Sequence, residues 1–326
     1  MISDGQHVAD ALDLQIVHAL HIDGRATFGL LGRLLGVSDH TVARRYARMR
    51  SASGLRVAAE SPRGHKQWYV RVRTTPGAAM PLAQAVARHP DTAWVRLVSG
   101  GTEIVCSVRA DAGGHALLLE KLPRTSRVLD VSAQSELHVH TRNAHRLLER
   151  VGALATTQMH ELRHDSHPPQ VPGAGNAQRA HPPHLDQLDQ ALLTALRDDA
   201  RAPVEHLAAA TSTPASTTRR RLARLRTSGA LRIDVDVDPR ALGLHEQALL
   251  WISVAPADLA TTGAALATHP EVTFAAATTG RTSLYASVMT PDTQTLYDYL
   301  TDTIAGLPAI RDVESTLVIH SLKSLG

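Results

Sequence analysis

Residues Leu12–Leu55 recur, without a gap, as Leu188–Leu231. At one constant offset Asp13 falls on Asp189, Ala19-Leu20 on Ala195-Leu196, Arg25 on Arg201, and Arg44-Arg45 on Arg220-Arg221. Arg48-Met49-Arg50 likewise falls on Arg224-Leu225-Arg226. An offset held over so many residues marks a duplicated module. With two visible copies the chain is a tandem fusion rather than a solenoid, so whatever fold serves one copy must serve the other.

Each copy is expected to form three helices. Leu12, Ile16, Val17 and Leu20 in the first, and Leu188, Leu192, Leu193 and Leu196 in the second, have helical spacing. A short helix follows, Leu30–Leu35 or Val204–Ala210. It meets a tight break at Gly36-Val37-Ser38 or Thr211-Ser212-Thr213. Ser38 suits an N-cap, and Thr213 before Pro214 reads as a helix start with proline in the first turn. The third helix buries Val42, Tyr46 and Met49, or Thr218, Leu222 and Leu225, and stops near Gly54 or Gly229. Its other face carries His40, Thr41, Arg44, Arg45 and Arg48, or Ser216, Thr217, Arg220, Arg221 and Arg224. A tight turn into a helix with small polar residues at its start and arginines along its outer face suits a helix-turn-helix reader. There the helix start meets base edges and arginines meet phosphate or guanine. A solvated charged face on a three-helix core is the alternative for one copy, but both copies keep the pattern.

With 326 residues there is room for several domains. The formal net charge is only +3, so the basic signal lies in placement rather than in total. Lysine occurs only at Lys66, Lys121 and Lys323; arginine, the better fork for phosphate and guanine, carries the rest. The single cysteine, Cys106, excludes an intramolecular disulfide and fits a reducing compartment. Residues 1–11 lack a basic segment leading into an apolar run, and nothing approaches membrane-spanning length. The expectation is a cytoplasmic protein with no membrane partner.

After the first helical unit, Leu55–Gln67 is a polar loop with Pro62 and Gly64, suited to a short wing. Strand patterns at Tyr69–Arg73, Ala93–Val98, Ile104–Val108 and Val128–His140 alternate with helical ones at Pro76–His89 and His115–Leu122. The same order returns as strands Leu249–Val254, Val272–Ala277, Leu284–Val288 and Ile310–His320, with helices Asp258–Thr268 and Thr293–Ala305. His89-Pro90 matches His269-Pro270 and Gly100 matches Gly280, at a longer offset that places an insertion before the first strand. Such a sheet, covered on one face by two helices, is the ferredoxin-like arrangement. Thr141–Arg163 reads as a helix with Leu148, Val151, Ala155, Met159 and Leu162 in a stripe, and His164–His184 as an extended Pro-, Gly- and His-rich linker. His160, His164, His167, His181 and His184 lack metal-ligand spacing on a fixed scaffold, so no metal is expected. The expected architecture is α+β. Two winged helix-turn-helix domains (1–64 and 185–244) and two ferredoxin-like βαββαβ domains (65–140 and 245–326) stand in tandem, joined by a helix and linker (141–184).

This order resembles the Lrp/AsnC (feast/famine) family of transcription regulators, in a tandem duplicated form. The likeness is carried by Leu12-Asp13, Leu20, Asp23-Gly24-Arg25, Gly36-Val37-Ser38 and Arg44-Arg45 in the first copy. In the second it is carried by Leu188-Asp189, Asp198-Asp199-Ala200-Arg201, Arg220-Arg221-Leu222, Gly229-Ala230-Leu231-Arg232 and Asp238–Gly243. In the sheet domains Val98-Ser99-Gly100 and Thr278-Thr279-Gly280 match. The resemblance implies a DNA-binding regulator, not an enzyme. Its partners would be double-stranded DNA, a small effector such as an amino acid or related metabolite, and further copies of itself through the sheet domains. It needs no other cofactor. It also implies effector contacts at Ser99, Gly100, Gly101, Thr102 and Glu103, and at Thr279, Gly280, Arg281, Thr282 and Ser283. The family's acidic residue three positions past the glycine is Glu103 in the first copy and is replaced by Ser283 in the second. Sirohaem decarboxylases resemble the same fold and also occur as fused pairs. Yet Ala93–Val98 and Val272–Ala277 lack their histidine and tyrosine. A partner subunit that reads DNA poorly is the other alternative.

Overall fold

The computed structural model describes residues 9–60, 66–110, 120–142, 148, 154–165 and 185–323. Along the first half run α1 (Ala11–Ile22), α2 (Phe28–Leu35), α3 (Asp39–Ala52), β1 (Arg56–Glu60), β2 (Lys66–Thr74), α4 (Ala79–Ala87), β3 (Thr92–Val98), β4 (Glu103–Ala110) and β5 (Val128–Arg142). Then come α5 (Thr156–Asp165), α6 (Gln187–Asp198), α7 (Val204–Ala210), α8 (Ala215–Thr227) and β6 (Arg232–Asp236). The last are β7 (Glu246–Val254), α9 (Leu259–Leu266), β8 (Val272–Thr278), β9 (Leu284–Thr290), α10 (Thr293–Asp298) and β10 (Ile310–Lys323). They sort into two compact units, Met1–Arg63 with Ala144–Gly243, and Gly64–Asn143 with Leu244–Gly326.

In the first unit both readers start on a reciprocal cap. The Asp10 carboxylate accepts from the Asp13 backbone N–H while that of Asp13 accepts from the Asp10 N–H, and Asp186 and Asp189 repeat this. Two otherwise unpaired donors are thereby satisfied at each helix start. Thr27 caps α2, and Gly36, at φ 69°, ends it. A Cβ on Gly32 would come within 2.7 Å of the Val37 carbonyl oxygen, so glycine is what allows the turn into α3 to close. Ile16, Leu20, Leu31, Val42 and Met49 form the first core; Leu192, Leu196, Leu207, Leu222 and Leu225 form the second. Each such side chain adds about 1.5–3 kcal/mol through burial.

Where a wing was expected, Arg56–Glu60 is a strand, and its partner is not its own hairpin. β1 pairs antiparallel with β6 of the other repeat, Val57 opposite Val235 and Ala59 opposite Ile233. The strands are also exchanged between cores. Val235 and Val237 bury in the first reader's core, while Ala59 buries in the second's. Two short strands that are each an open edge alone satisfy their backbone groups by pairing with one another.

The single helix expected over Thr141–Arg163 is different in fact. Thr141 and Arg142 belong to β5, and a bend at Leu154 precedes α5. Leu148, Leu154 and Leu162 pack into the first reader's core rather than spanning between domains. Val151, most of the His-rich linker and most of the expected helix His115–Leu122 lie outside the described residues.

In the second unit each half has the strand order of a ferredoxin-like sheet: β5-β2-β4-β3 and β10-β7-β9-β8. The two sheets join edge to edge, β5 to β8 and β10 to β3, closing an eight-stranded antiparallel barrel. Pairing of the repeats, left open between intrachain and interchain by the sequence, therefore occurs within the chain. Closure removes the sheet edges that a second chain would otherwise pair with. One barrel-facing cluster holds Tyr69, Val98, Val105, Leu249, Trp251, Ala276 and Tyr285, with Tyr69 and Tyr285 rings stacked at 4.7 Å. The opposite face of each sheet carries the helices: Val72, Ala83, Val86 and Cys106 on one side, Leu250, Leu266, Leu284 and Tyr299 on the other. The helix expected over Thr293–Ala305 is α10 followed by a π-helical turn, Tyr299–Ile304.

Candidate nucleic-acid interface and effector turns

The recognition helices α3 and α8 are held by carboxylates the sequence did not single out as partners. Asp13 is fully buried, and Arg45 Nη1 donates to its Oδ1 at 3.0 Å while Arg48 Nη2 donates to its Oδ2 at 2.8 Å. Arg45 also meets Asp10 at 2.5 Å. The second reader repeats this: Asp189 is fully buried, with Arg221 at 3.3 Å and Arg224 on its other oxygen, and Arg221 meets Asp186 at 2.5 Å. The Arg45 guanidinium holds the Asp10 carboxyl below the usual range, and the Asp189 backbone N–H, followed by Arg221, does so for Asp186. A buried carboxylate needs such neighbours, because an unpaired buried charge costs several kcal/mol. Of the arginines placed on the reading face from sequence, Arg45, Arg48, Arg221 and Arg224 thus pin α3 and α8 to α1 and α6.

Arg44 and Arg220 remain exposed, and neither has an ion pair among the described residues. His40 and Ser216 beside them are exposed, while Thr41 and Thr217 are half-buried. Ser38 caps α3, accepting from the Thr41 N–H at 3.1 Å and sharing a hydrogen bond with its hydroxyl at 2.9 Å. On α8 the cap position is Pro214, not Thr213, and no side chain caps the helix. The Thr213 hydroxyl is turned instead to Thr211 and Thr218, at 2.8 and 2.9 Å.

Arg25 and Arg201, conspicuous in sequence only as matching positions, form a reciprocal lock between the readers. Arg25 donates to the Ala200 and Ala202 carbonyls at 2.6 and 2.7 Å; Arg201 donates to those of Gly24 and Ala26 at 2.6 and 2.8 Å. The Arg201 guanidinium also lies over the Phe28 and Tyr46 rings, at 4.8 and 5.3 Å. Gly24 admits the seam, since a Cβ there would stand 2.5 Å from Ile233 Cγ2. Arg226 adds an ion pair to Asp23 at 2.9 Å. Their identical offset was the only signal in the sequence.

In the barrel, each glycine turn abuts the last strand of the other repeat. Ser99, Gly100 and Gly101 all have positive φ, and the Ser99 hydroxyl meets Glu103 and Thr316, each at 2.9 Å. Glu103 is buried and ion-paired to Arg71 at 2.7 Å; Arg71 also pairs with Glu314 and covers the Trp251 ring at 4.2 Å. Thr102 is exposed, and its hydroxyl turns back to the Ser99 carbonyl at 2.8 Å. The two carboxylates raise the Arg71 pKa against its burial, and Arg71 lowers that of Glu314. The second turn is neutral at the equivalent places. Thr279 exchanges two bonds of 2.9 Å with the Ser135 backbone, Gln134 donates to Thr282 at 2.9 Å, and Gly280 has φ 105°. Ser283 accepts from the Val254 N–H at 2.9 Å, so it stitches β7 rather than replacing a charge; Arg281 is exposed. Among the described residues no helix is long and apolar enough to cross a membrane, and no group of three or more metal-ligating side chains is present.

Comparison with known proteins follows the repeat. The model of the AsnC-type helix-turn-helix domain matches residues 10–50 and again 185–226, and that of the Lrp/AsnC ligand binding domain matches 247–326. The HTH-type transcriptional regulator FL11 of Pyrococcus horikoshii is 26% identical over 140 residues, 43% of this chain and 92% of that protein. The HTH-type transcriptional regulator AldR of Mycolicibacterium smegmatis is 29% identical over 158 residues, 47% of this chain and 91% of its own. Each relative therefore corresponds to less than half of this chain while being matched over nearly all of its own length. The siroheme decarboxylase NirDL matches 96% of this chain and 93% of its own, with a TM-score of 0.61 and 11% identity, a likeness of fold alone.

Proposed function

The chain belongs to the Lrp/AsnC family of DNA-binding transcription regulators, and on that premise we propose that it works as a single-chain double reader responsive to a small effector. The observation that carries this reading is the reciprocal Arg25–Arg201 lock, which with the β1–β6 ribbon ties both helix-turn-helix units into one body. One chain then supplies what two subunits would: two recognition helices facing a pseudo-palindromic duplex with half-sites about one helical turn apart. His40, Thr41 and Arg44, with Ser216, Thr217 and Arg220, are the residues proposed to meet bases and phosphates. Arg45, Arg48, Arg221 and Arg224 position those helices, and the partly exposed heads of Arg48 and Arg224 add positive potential beside the backbone. A cytoplasmic location follows from the DNA partner.

The family and the relatives are transcription regulators, not enzymes, and the likeness to a decarboxylase extends to fold alone. For the effector, the first turn offers a cation and carboxylates together in Arg71, Glu103 and Glu314, the charge pair that an amino acid's own two charges would exchange with. The second turn offers hydroxyls and the exposed Arg281, so the two sites differ in affinity. Assembly beyond one chain would use surfaces other than the closed sheet edges.

Fluorescence anisotropy against the DNA upstream of the protein's own gene, beside scrambled DNA, tests the reading. Site-preferring binding is expected, weakened by salt and altered by a pool of amino acids. Replacing Arg44 and Arg220 by Gln should flatten the salt dependence by nearly one unit of slope per lost phosphate contact. An unchanged slope, or equal binding to both DNAs, refutes it.

A further inference from the structure

The recognition helices are alike on their buried faces and unlike at their leading edges, where the difference is one of charge. α3 opens on Asp39, which is exposed, whereas α8 opens on Ala215. Asp39 Oδ1 accepts from the His40 backbone N–H at 2.7 Å, which fixes the carboxylate in the first turn. Its second oxygen has no hydrogen bond among the described residues. Four positions further on, Ala43 of α3 corresponds to Arg219 of α8, and Arg219 is exposed. The exposed charges of the leading turns are therefore Asp39 and Arg44 on α3, which offset each other, but Arg219 and Arg220 on α8, which add.

We infer that Asp39 is the specificity determinant of the first reader, and that the operator is asymmetric: an anchoring half-site under α8 and a discriminating one under α3. This inference rests on the DNA-reading function proposed above and extends it to the base read. A carboxylate carries acceptors only. In the major groove the N4 amino group of cytosine gives it a donor, whereas guanine O6 and N7, and every phosphate oxygen, repel it. Cytosine at that contact is selected: adenine's N6 amino group is a poorer match because the N7 acceptor beside it repels the carboxylate, and guanine and thymine offer no donor there. On α8 the uncapped first turn, Ser216 and two free arginines make contacts that tolerate more sequences. Arg219 and Arg220 bind phosphate or guanine strongly, and Ser216 pairs with either donor or acceptor edges.

Selecting duplexes from a randomised pool with the full chain, and with Asp39→Ala, Asp39→Asn and the double variant Arg219→Ala/Arg220→Ala, tests this directly. Anisotropy on the selected duplexes at two salt concentrations supplies the affinities. The wild-type chain is expected to enrich an asymmetric site whose first half requires cytosine. Asp39→Ala should lose that requirement and bind duplexes lacking the cytosine about tenfold more tightly, a gain that misfolding cannot mimic. Asp39→Asn should move the preference towards adenine, which an amide can pair with through both N6 and N7. The double variant should weaken binding to all duplexes and flatten the salt slope by close to two units. A palindromic consensus, or an Asp39→Ala protein with unchanged base preference and affinity, overturns the assignment while leaving DNA reading intact. A wild-type chain that enriches no sequence overturns the DNA-reading function and this assignment with it.

Discussion

Removing the guanidinium of Arg201 should loosen the readers by more than removing that of Arg25, although the two make the same hydrogen bonds. Each arginine donates two short bonds to carbonyls of the opposite repeat. Bonds from a charged donor contribute about 1.5–3 kcal/mol each, offset by burial, which pulls both arginine pKa values down and is aggravated for Arg25 by Arg226 and Arg201 nearby. Net losses of about 2–3 kcal/mol for Arg25→Ala are expected on that balance. Arg201 alone lies over Phe28 and Tyr46, and two such contacts add about 1–2 kcal/mol. Because Trp68, Trp94 and Trp251 all lie in the barrel unit, tryptophan fluorescence follows that unit, while circular dichroism at 222 nm is dominated by the reader helices. Urea titration should move the dichroism midpoint down by about 1.5–2.5 M for Arg201→Ala at a slope of about 2 kcal/mol per molar, and by about 1–1.5 M for Arg25→Ala. The fluorescence midpoint should hold. Arg201→Lys, which keeps the charge and loses the fork, should recover under half of the loss. Equal shifts for both alanine variants, or a larger one for Arg25→Ala, would refute the assignment of the stacking contribution. A matching shift in fluorescence would refute independent unfolding of the units.

Asp189→Asn removes a buried charge facing two arginines whose heads are partly exposed and can hydrate. A loss of about 2 kcal/mol, below the full cost of breaking a buried pair, should appear in the dichroism transition. His140 sits where α9 passes over β5, against Gly263, whose added Cβ would stand 2.1 Å from the imidazole Nε2. Burial, then the neighbouring His138, lowers its pKa. The unfolded chain therefore binds the proton more readily, so the contribution of His140 to barrel stability is complete above the ordinary imidazole value near 6.5 and falls as pH drops through it towards the folded pKa. His140→Leu should flatten that loss between about pH 5 and 7 in tryptophan-monitored urea titrations; an unchanged pH profile would show that the imidazole is not its source.

Fusion also explains how equivalent positions came to differ. Arg71 and Trp251 occupy matching places on β2 and β7, and in one chain they stack on each other; Glu103 keeps its ion pair while Ser283 serves the backbone of β7. A homodimer must accept any residue twice, at two related places. A fused pair escapes that constraint, so a charge can be kept on one turn and dropped from the other, and Asp39 can stand on one reader opposite Ala215 on the second.

Local spacing along the chain specifies the repeat, the helix-turn-helix units and the ferredoxin-like order of strands. A helix shows its period within two turns and a strand within four residues, as Ile16 with Leu20 and Thr92–Val98 do. The third helix of each unit was legible too, with Arg44 and Arg220 on its exposed face. Which arginines stay free was decided only by tertiary structure. Arg44 and Arg45 are adjacent in sequence, but about 100° of helical turn separates them, and only Arg45 meets the carboxylates of α1. The exchanged strands β1 and β6, the Arg25–Arg201 lock and barrel closure also escaped the sequence. Each joins segments more than a hundred residues apart, through backbone groups that carry no residue-specific signal. A strand's pattern declares which face it buries, but not whose edge it will pair with, and here the open edges of β1 and β6, of β5 and β8, and of β10 and β3 are each closed by the other copy.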